Sequence, residues 1–161
     1  MLDYTKIILL LATCFVIIFT LVKLRSKNIK KNDLRFLLSS FFLTVFLAFI
    51  IEVKPHHMLR AQYNISNLII YLFYFVIVSS YFLRYMKLLF RYKYVLIVIS
   101  YMFFGLANAI DLLDDGKLIV LDNSEIVEDA FHILGTVFWL LFFINFSIKL
   151  KETNNIIYKN L

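Results

Sequence analysis

Long apolar runs separated by short charged connections set the pattern of this chain. Five runs read between charges: Ile7 to Val22, Phe36 to Ile51, Ile65 to Leu83, Tyr94 to Ile110 and Ala130 to Ile148. Stretches such as "FFLTVFLAFII" and "LIIYLFYFVIV" do not alternate polar with apolar residues, as the strands of a membrane barrel would. They also lack the polar face that a helix of a water-soluble bundle needs. At a rise of ~1.5 Å per residue, runs of this length with their flanks cross a hydrocarbon core of ~30 Å, the shorter ones with help from snorkelling Lys, Arg and Tyr. The expected fold is an all-α integral membrane protein with five transmembrane helices, over about 5–24, 35–53, 65–85, 93–112 and 126–149, forming a single domain over 1–161.

Composition agrees: 62% of residues are hydrophobic, mean hydropathy is +0.83, and there are only three glycines and one proline, a profile outside the soluble range. The first run follows Lys6 near the N-terminus, as a signal peptide would, but it is long, no A-x-A-like site follows, and "KLRSKNIKK" comes next. It reads as a stop-transfer anchor. Cys14 is the sole cysteine, so neither an internal disulfide nor a thiolate metal cluster is expected, and its position suits a small buried apolar residue. No Pro/Gly/Ser linker and no repeat interrupts the chain, and the tail "KETNNIIYKNL" is too brief to fold alone. One membrane domain without a soluble catalytic domain is the expectation.

Charge orients the five runs. Lys23, Arg25, Lys27, Lys30, Lys31 and Arg35 lie between the first and second, and Arg84, Lys87, Arg91 and Lys93 between the third and fourth. The positive-inside rule puts both connections, and with them Lys149, Lys151 and Lys159, in the cytoplasm, so the chain is expected N-out and C-in. The net charge of +6 is thus spread over topogenic loops. Nucleic acid is not an expected partner. The lipid bilayer is, and the segment "KLRSKNIKKNDLR" suits anionic head groups at about 1 kcal/mol per base near the surface.

One segment breaks the basic character. "AIDLLDDGKLIVLDNSEIVEDAFHILG", Ala109 to Gly135, holds seven acids against Lys117 alone, and joins the fourth and fifth runs on the outer side. Gly116 suits the left-handed residue after the fourth helix. Asp122 and Glu125 have capping-box spacing for the fifth, with Ser124 an alternative cap. Glu125, Glu128, Asp129 and His132 share a helical face, and acids there meet a favourable dipole. Asp111, Asp114 and Asp115 instead crowd a helix C-terminus, where the dipole opposes them. Hydration, protons retained on the carboxyls, or a bound cation can offset that repulsion. The sharpest expectation is a divalent cation, with Asp111, Asp115, Glu128, Asp129 and His132 as candidate ligands, because carboxylates with one imidazole suit such an ion. His56 and His57 lie on the same side in "EVKPHHMLRAQYN" and can contribute ligands or a pH response, although an exposed loop ordinarily leaves them solvated. His132, at a span boundary, is expected to face protein or water.

Within the runs, Asn108 and Asn145 lie near opposite ends and are expected to bond other helices or interfacial water. "GLANA" spaces Gly105 and Ala109 for close helix contact, with Ser79, Ser80 and Ser100 extending the seam. The many Phe and Tyr are expected to form packed or lipid-exposed surface and not a pigment pocket. No Gly-rich phosphate loop, G-x-S-x-G or nucleophile–base pair is present, so no enzyme is expected.

"AIDLLDD" followed by "EIVEDAFHILGTVFWLLFFI" resembles the last hairpin of the multi-span membrane sensory domains found ahead of diguanylate cyclases and histidine kinases in bacteria. Those domains show a similar D-x-L-D-[ED] at the end of one span and E-D-x-x-x-x-x-G at the start of the next. The matching positions are Asp111, Asp114, Asp115, Glu128, Asp129 and Gly135. The resemblance implies a sensory role in the cell inner membrane, with a signal passed inward. No output domain follows Leu150 in this sequence, so the expected role is a stand-alone module, non-enzymatic and regulatory, acting through a membrane or cytoplasmic signalling partner, with oligomerisation open. A small oligomeric channel or transporter, with the acids as a cation vestibule, and a membrane immunity or defence protein are the alternatives.

The orientation is directly testable. Cysteines introduced at Lys30, Lys87 and Lys151 should react only from the cytoplasmic side, and those at His57 and Lys117 only from outside. Labelling of Lys117→Cys from the cytoplasm alone would overturn the N-out reading.

Overall fold

The computed structural model describes residues 2–25, 30–92, 94–115 and 124–159, with side chains over 4–23, 30–92, 94–114 and 124–152. Gly116, Lys117 and Asp122, and the turn and cap expected of them, lie outside the described residues. Those described form six helices and no strand: α1 (Leu2–Arg25), α2 (Lys31–Val53), α3 (Pro55–Tyr63), α4 (Asn67–Arg91), α5 (Val95–Asp115) and α6 (Ser124–Lys159). Five are long and apolar enough to cross a membrane, over Tyr4–Lys23, Lys31–Val53, Asn67–Arg91, Val95–Asp114 and Ser124–Glu152.

Each of the five is apolar outside and holds hydroxyls inside. Phe15, Phe42, Leu72 and Leu83 are exposed, whereas Thr13, Ser40, Thr44, Ser100 and Thr136 are wholly buried. None of these five serine and threonine hydroxyls is an orphan, because most turn back onto their own helix: Thr13 donates to the Leu9 carbonyl at 2.9 Å, Ser40 to Phe36 at 2.6 Å and Thr44 to Ser40 at 2.8 Å. This arrangement suits helices whose outer faces meet lipid and whose inner faces meet each other.

The sixth helix, α3, was not legible as one. Lys54 takes a left-handed conformation (φ 43°, ψ 55°) that ends α2 and starts α3, and Pro55, with φ already helical, occupies the first position. Asn64 (φ 54°) closes α3 in the same way. The segment expected as an exposed loop is therefore a nine-residue helix that buries His56. Its histidine faces inward because the helix lies against α4.

The core is an aromatic column on α6. Trp139, Phe142, Phe143 and Phe146 are almost fully buried, and Phe36 of α2 sits among Tyr81, Tyr85, Phe142, Phe143 and Phe146 with ring centroids 5.0–6.3 Å away. Edge-on and offset arrangements of this kind add ~0.5–1.5 kcal/mol per pair beyond area burial. Other aromatic rings, Phe15, Phe42, Phe73 and Phe90 among them, are exposed on the outer faces, so the aromatic residues divide between packed core and apolar surface. Trp139 Nε1 donates to Thr44 Oγ1 at 3.0 Å, so the one polar atom of the buried indole is satisfied across α2 and α6.

Packing is uneven. α5 lies along α6, and α1 packs on both α2 and α6, whereas α4 touches α2, α3 and α5 only sparsely. Hydroxyls pin it in place: because Ser40 gives its proton to Phe36, Tyr81 donates to Ser40 at 2.6 Å, and Tyr85 donates to the Arg35 carbonyl at 3.2 Å while Ser39 lies 2.7 Å from the same phenol. A cavity of about 370 Å³ opens between α2, α4 and α5, walled by Leu47, Ile51, Tyr74, Val78, Phe104 and Gly105 among others.

That cavity corrects the expected seam. A Cβ on Gly105 would meet nothing within 4 Å, and Ala109 and Ser80 are exposed, so close approach happens elsewhere. Gly135 of α6 is the glycine in the seam: a Cβ there would lie 2.9 Å from the Phe104 ring, and Ser100 donates to the Gly135 carbonyl at 2.7 Å. Spacing alone could not rank two glycines on different helices. Gly135→Val should lower stability by about 1–3 kcal/mol through overpacking. Gly105→Ala should be neutral or stabilising by up to ~1 kcal/mol through helix propensity. Thermal denaturation of the two variants in detergent reads both.

Candidate functional site

Five helix ends and α3 meet at one end of the bundle. They bring Lys6 from α1, Lys54 from the left-handed link, His56 and His57 from α3, Tyr71 from α4, Asn108, Asp111 and Asp114 from α5, and Ser124, Glu128, Asp129 and His132 from α6. The reason lies in the up-and-down path of the apolar helices, which returns every second connection to the same end.

Here the acids do not face one another undiluted. Lys6 Nζ lies 2.5 Å from Asp129 Oδ1, and the lysine is only 2% exposed. Lys54 Nζ stands 3.6 Å from Glu128 Oε1, and His132 Nε2 3.5 Å from the same oxygen, one turn along α6. His56 Nε2 is 3.4 Å from Asp111 Oδ2, and the Tyr71 hydroxyl donates to that oxygen. Asp114 accepts from Ser124 Oγ at 2.9 Å, so this hydroxyl ties α5 to α6. The repulsion foreseen at the end of α5 is offset by the protein's own bases and hydroxyls, a source that the sequence did not reveal.

The five residues expected as one ligand set are accordingly divided. Asp129 turns to Lys6, Glu128 and His132 pair with each other beside Lys54, and Asp111 turns to α3. The Asp115 side chain lies outside the described residues. His132 faces protein, 6.1 Å from the Phe104 ring. Among the described residues, the three His and acid side chains whose ligand atoms come within 4.8 Å of one another are His56, His57 and Asp111. Neither ring nitrogen of His56 makes a hydrogen bond although the residue is 5% exposed, and Nδ1 of buried His132 makes none either. A polar atom buried without a partner carries a desolvation cost of ~1–3 kcal/mol, which a ligand can relieve.

Space is available beside these groups. A void of about 10 Å³, enough for roughly one water or small ion, is bordered by Lys6, Lys54, His56, Tyr71, Glu128 and His132. Tyr71, Asn108 and His132 also wall the apolar cavity, so the charged end and the cavity share a boundary.

Lys6, Lys54 and Tyr71 are residues of this candidate site that sequence reasoning missed. The available signal was charge bookkeeping by side: Lys6, Lys54, Arg60 and Lys117 are the only bases on the acidic side of the expected topology.

The buried pair gives a clear expectation. Lys6→Met should cost about 3–5 kcal/mol, because it leaves Asp129 unpaired in an apolar setting. Lys6→Met with Asp129→Leu should restore most of that loss, which a double-mutant cycle of thermal stabilities would measure. An additive loss in the double variant would mean that the pair is not coupled.

No curated protein and no solved structure matches the chain. A family model described as a domain of unknown function, DUF8692, matches residues 7–146, which is most of the chain and includes the aromatic column and every site residue named above except Lys6. The chain belongs to that family.

Proposed function

We propose that this chain is a non-enzymatic sensory or regulatory module of the bacterial inner membrane, inserted N-out and C-in, whose outer end responds to a divalent transition-metal cation. The observation that carries the reading is the convergence of His56, His57 and Asp111 together with buried His56 itself, whose Nε2 faces Asp111 at 3.4 Å and whose Nδ1 makes no hydrogen bond. Two imidazoles and a carboxylate form an N/O donor set suited to Zn²⁺ and its neighbours, with further positions for water. The resemblance of the acidic hairpin to bacterial membrane sensory domains points the same way.

The geometry supports a transmission step. Bond lengths of ~2.0–2.2 Å set tetrahedral ligand atoms ~3.5 Å apart, and His56 Nε2 already stands 3.4 Å from Asp111 Oδ2, so that pair across α3 and α5 is spaced to take an ion. Asp111 Oδ2 faces both His56 and the Tyr71 hydroxyl, so a cation taking this carboxylate competes with Tyr71 for it. Tyr71 is near the start of α4, the most sparsely held of the five long apolar helices. A cation that bound a shifted position of α4 more tightly than the present one would favour that shift, and the far end of α4 is basic. α6, 36 residues long, would reach ~54 Å, past a ~30 Å apolar core, and offers a second inward extension.

Full-length protein in detergent, titrated with Zn²⁺, Ni²⁺ and Mn²⁺ against chelator, tests the site. Binding to the folded state alone should stabilise by ~2.7 kcal/mol at a hundredfold excess over Kd. The shift should vanish in His56→Ala and Asp111→Asn and survive in Asp129→Asn. Absence of a shift with all three ions would end the cation reading, and a shift lost only with Glu128→Gln would move the site to α6.

A further inference from the structure

At the opposite end of the bundle the charge balance is reversed. A cavity of about 690 Å³ lies between the start of α2 and the end of α4, and Lys30, Arg35, Arg84, Lys87 and Arg91 line it. Among the described residues Asp33, 4% exposed, is the one acid on its wall, so five bases less one acid leave +4 around a single space. Arg84, Lys87 and Arg91 follow one another at i, i+3 and i+7, which puts them on one face of α4. The positive end of the α2 dipole points into the same region, and its N-cap, Lys30, supplies no side-chain cap. Positive-inside topology accounts for bases in these segments. It does not account for their convergence, because topogenic bases can equally point apart into water.

We propose that this cavity is a binding site for a phosphate-bearing anion. Three guanidinium groups offer paired donors that match phosphate oxygens, and the two ammonium groups add point charge. The volume falls within the range of small-ligand sites. Leu83, Met86 and Leu88 also line the cavity, and Leu83 is 72% exposed, so the wall suits a phosphate that carries an acyl-bearing backbone as well as a soluble phosphate compound. The site does not depend on the cation reading, since it shares no residue with the other end.

The experiment titrates full-length protein in a zwitterionic detergent with short-chain phosphatidic acid, with short-chain phosphatidylcholine and with pyrophosphate at matched ionic strength, following thermal stability. Phosphatidic acid or pyrophosphate should stabilise the protein and phosphatidylcholine should not. Response to the lipid alone identifies a headgroup, and response to pyrophosphate alone a soluble phosphate compound; either supports the site. Arg84→Gln with Lys87→Gln and Arg91→Gln should weaken the response about tenfold or more, and Lys151→Gln, a base at the same end outside the cavity, should leave it unchanged. Arg84→Lys with Arg91→Lys keeps the charge but removes the forked donors, so it should also weaken binding and decides the matter if the triple variant does not fold. No response to either phosphate probe overturns the proposal, as does a response reduced equally by Lys151→Gln or unaffected by the Arg→Lys pair, which would mean diffuse surface charge.

Discussion

The ion pair between Lys6 and Asp129 joins the first helix to the last across 123 positions of sequence, at the point where an apolar bundle must accommodate charge. A carboxylate there cannot rely on full hydration, and neither can a lysine that is 2% exposed. Each therefore requires the other. That requirement fixes how α1 lies on α6, and the neighbouring pairs, Lys54 with Glu128 and His56 with Asp111, then tie the end of α2 and all of α3 to the same point. Lys54 accepts a left-handed backbone at this position, and the same residue serves as a helix cap and as a counter-charge.

Below that layer the stabilising terms change character. The aromatic column of α6 is non-directional in its energetics and fills space against α2, while single hydroxyl bonds, such as Tyr81 to Ser40, hold α4 at discrete points. A helix held by a few polar pins and bordered by a cavity of about 370 Å³ has less to lose on shifting than one embedded in aromatic packing. The proposed response uses this difference, since Tyr71 is both a pin of α4 and a hydrogen-bond donor to Asp111. The two ends of the bundle also differ in kind. One matches Asp111, Asp114, Glu128 and Asp129 to bases or hydroxyls, and the other gathers five bases around one acid.

Local pattern alone determined the helical class, the five apolar helices and the end of the molecule at which the acids gather. Those properties depend on hydrophobicity summed over some twenty consecutive residues, which neighbours in sequence decide among themselves. For His132 it offered protein or water as surroundings, and the tertiary structure chose protein. The helix at Pro55–Tyr63 was hidden because its polar sequence satisfies a loop equally well until Lys54 and Asn64 adopt left-handed conformations at its ends. Which glycine allows close packing, which base answers which acid, and which histidines meet Asp111 were decided only in the tertiary structure. Gly135 rather than Gly105, Lys6 with Asp129, and His56 and His57 with Asp111 are all relations between different helices. Sequence spacing describes faces of one helix, but it carries no information about the rotation of that helix against its neighbours, and a partner for a buried charge is chosen by that rotation.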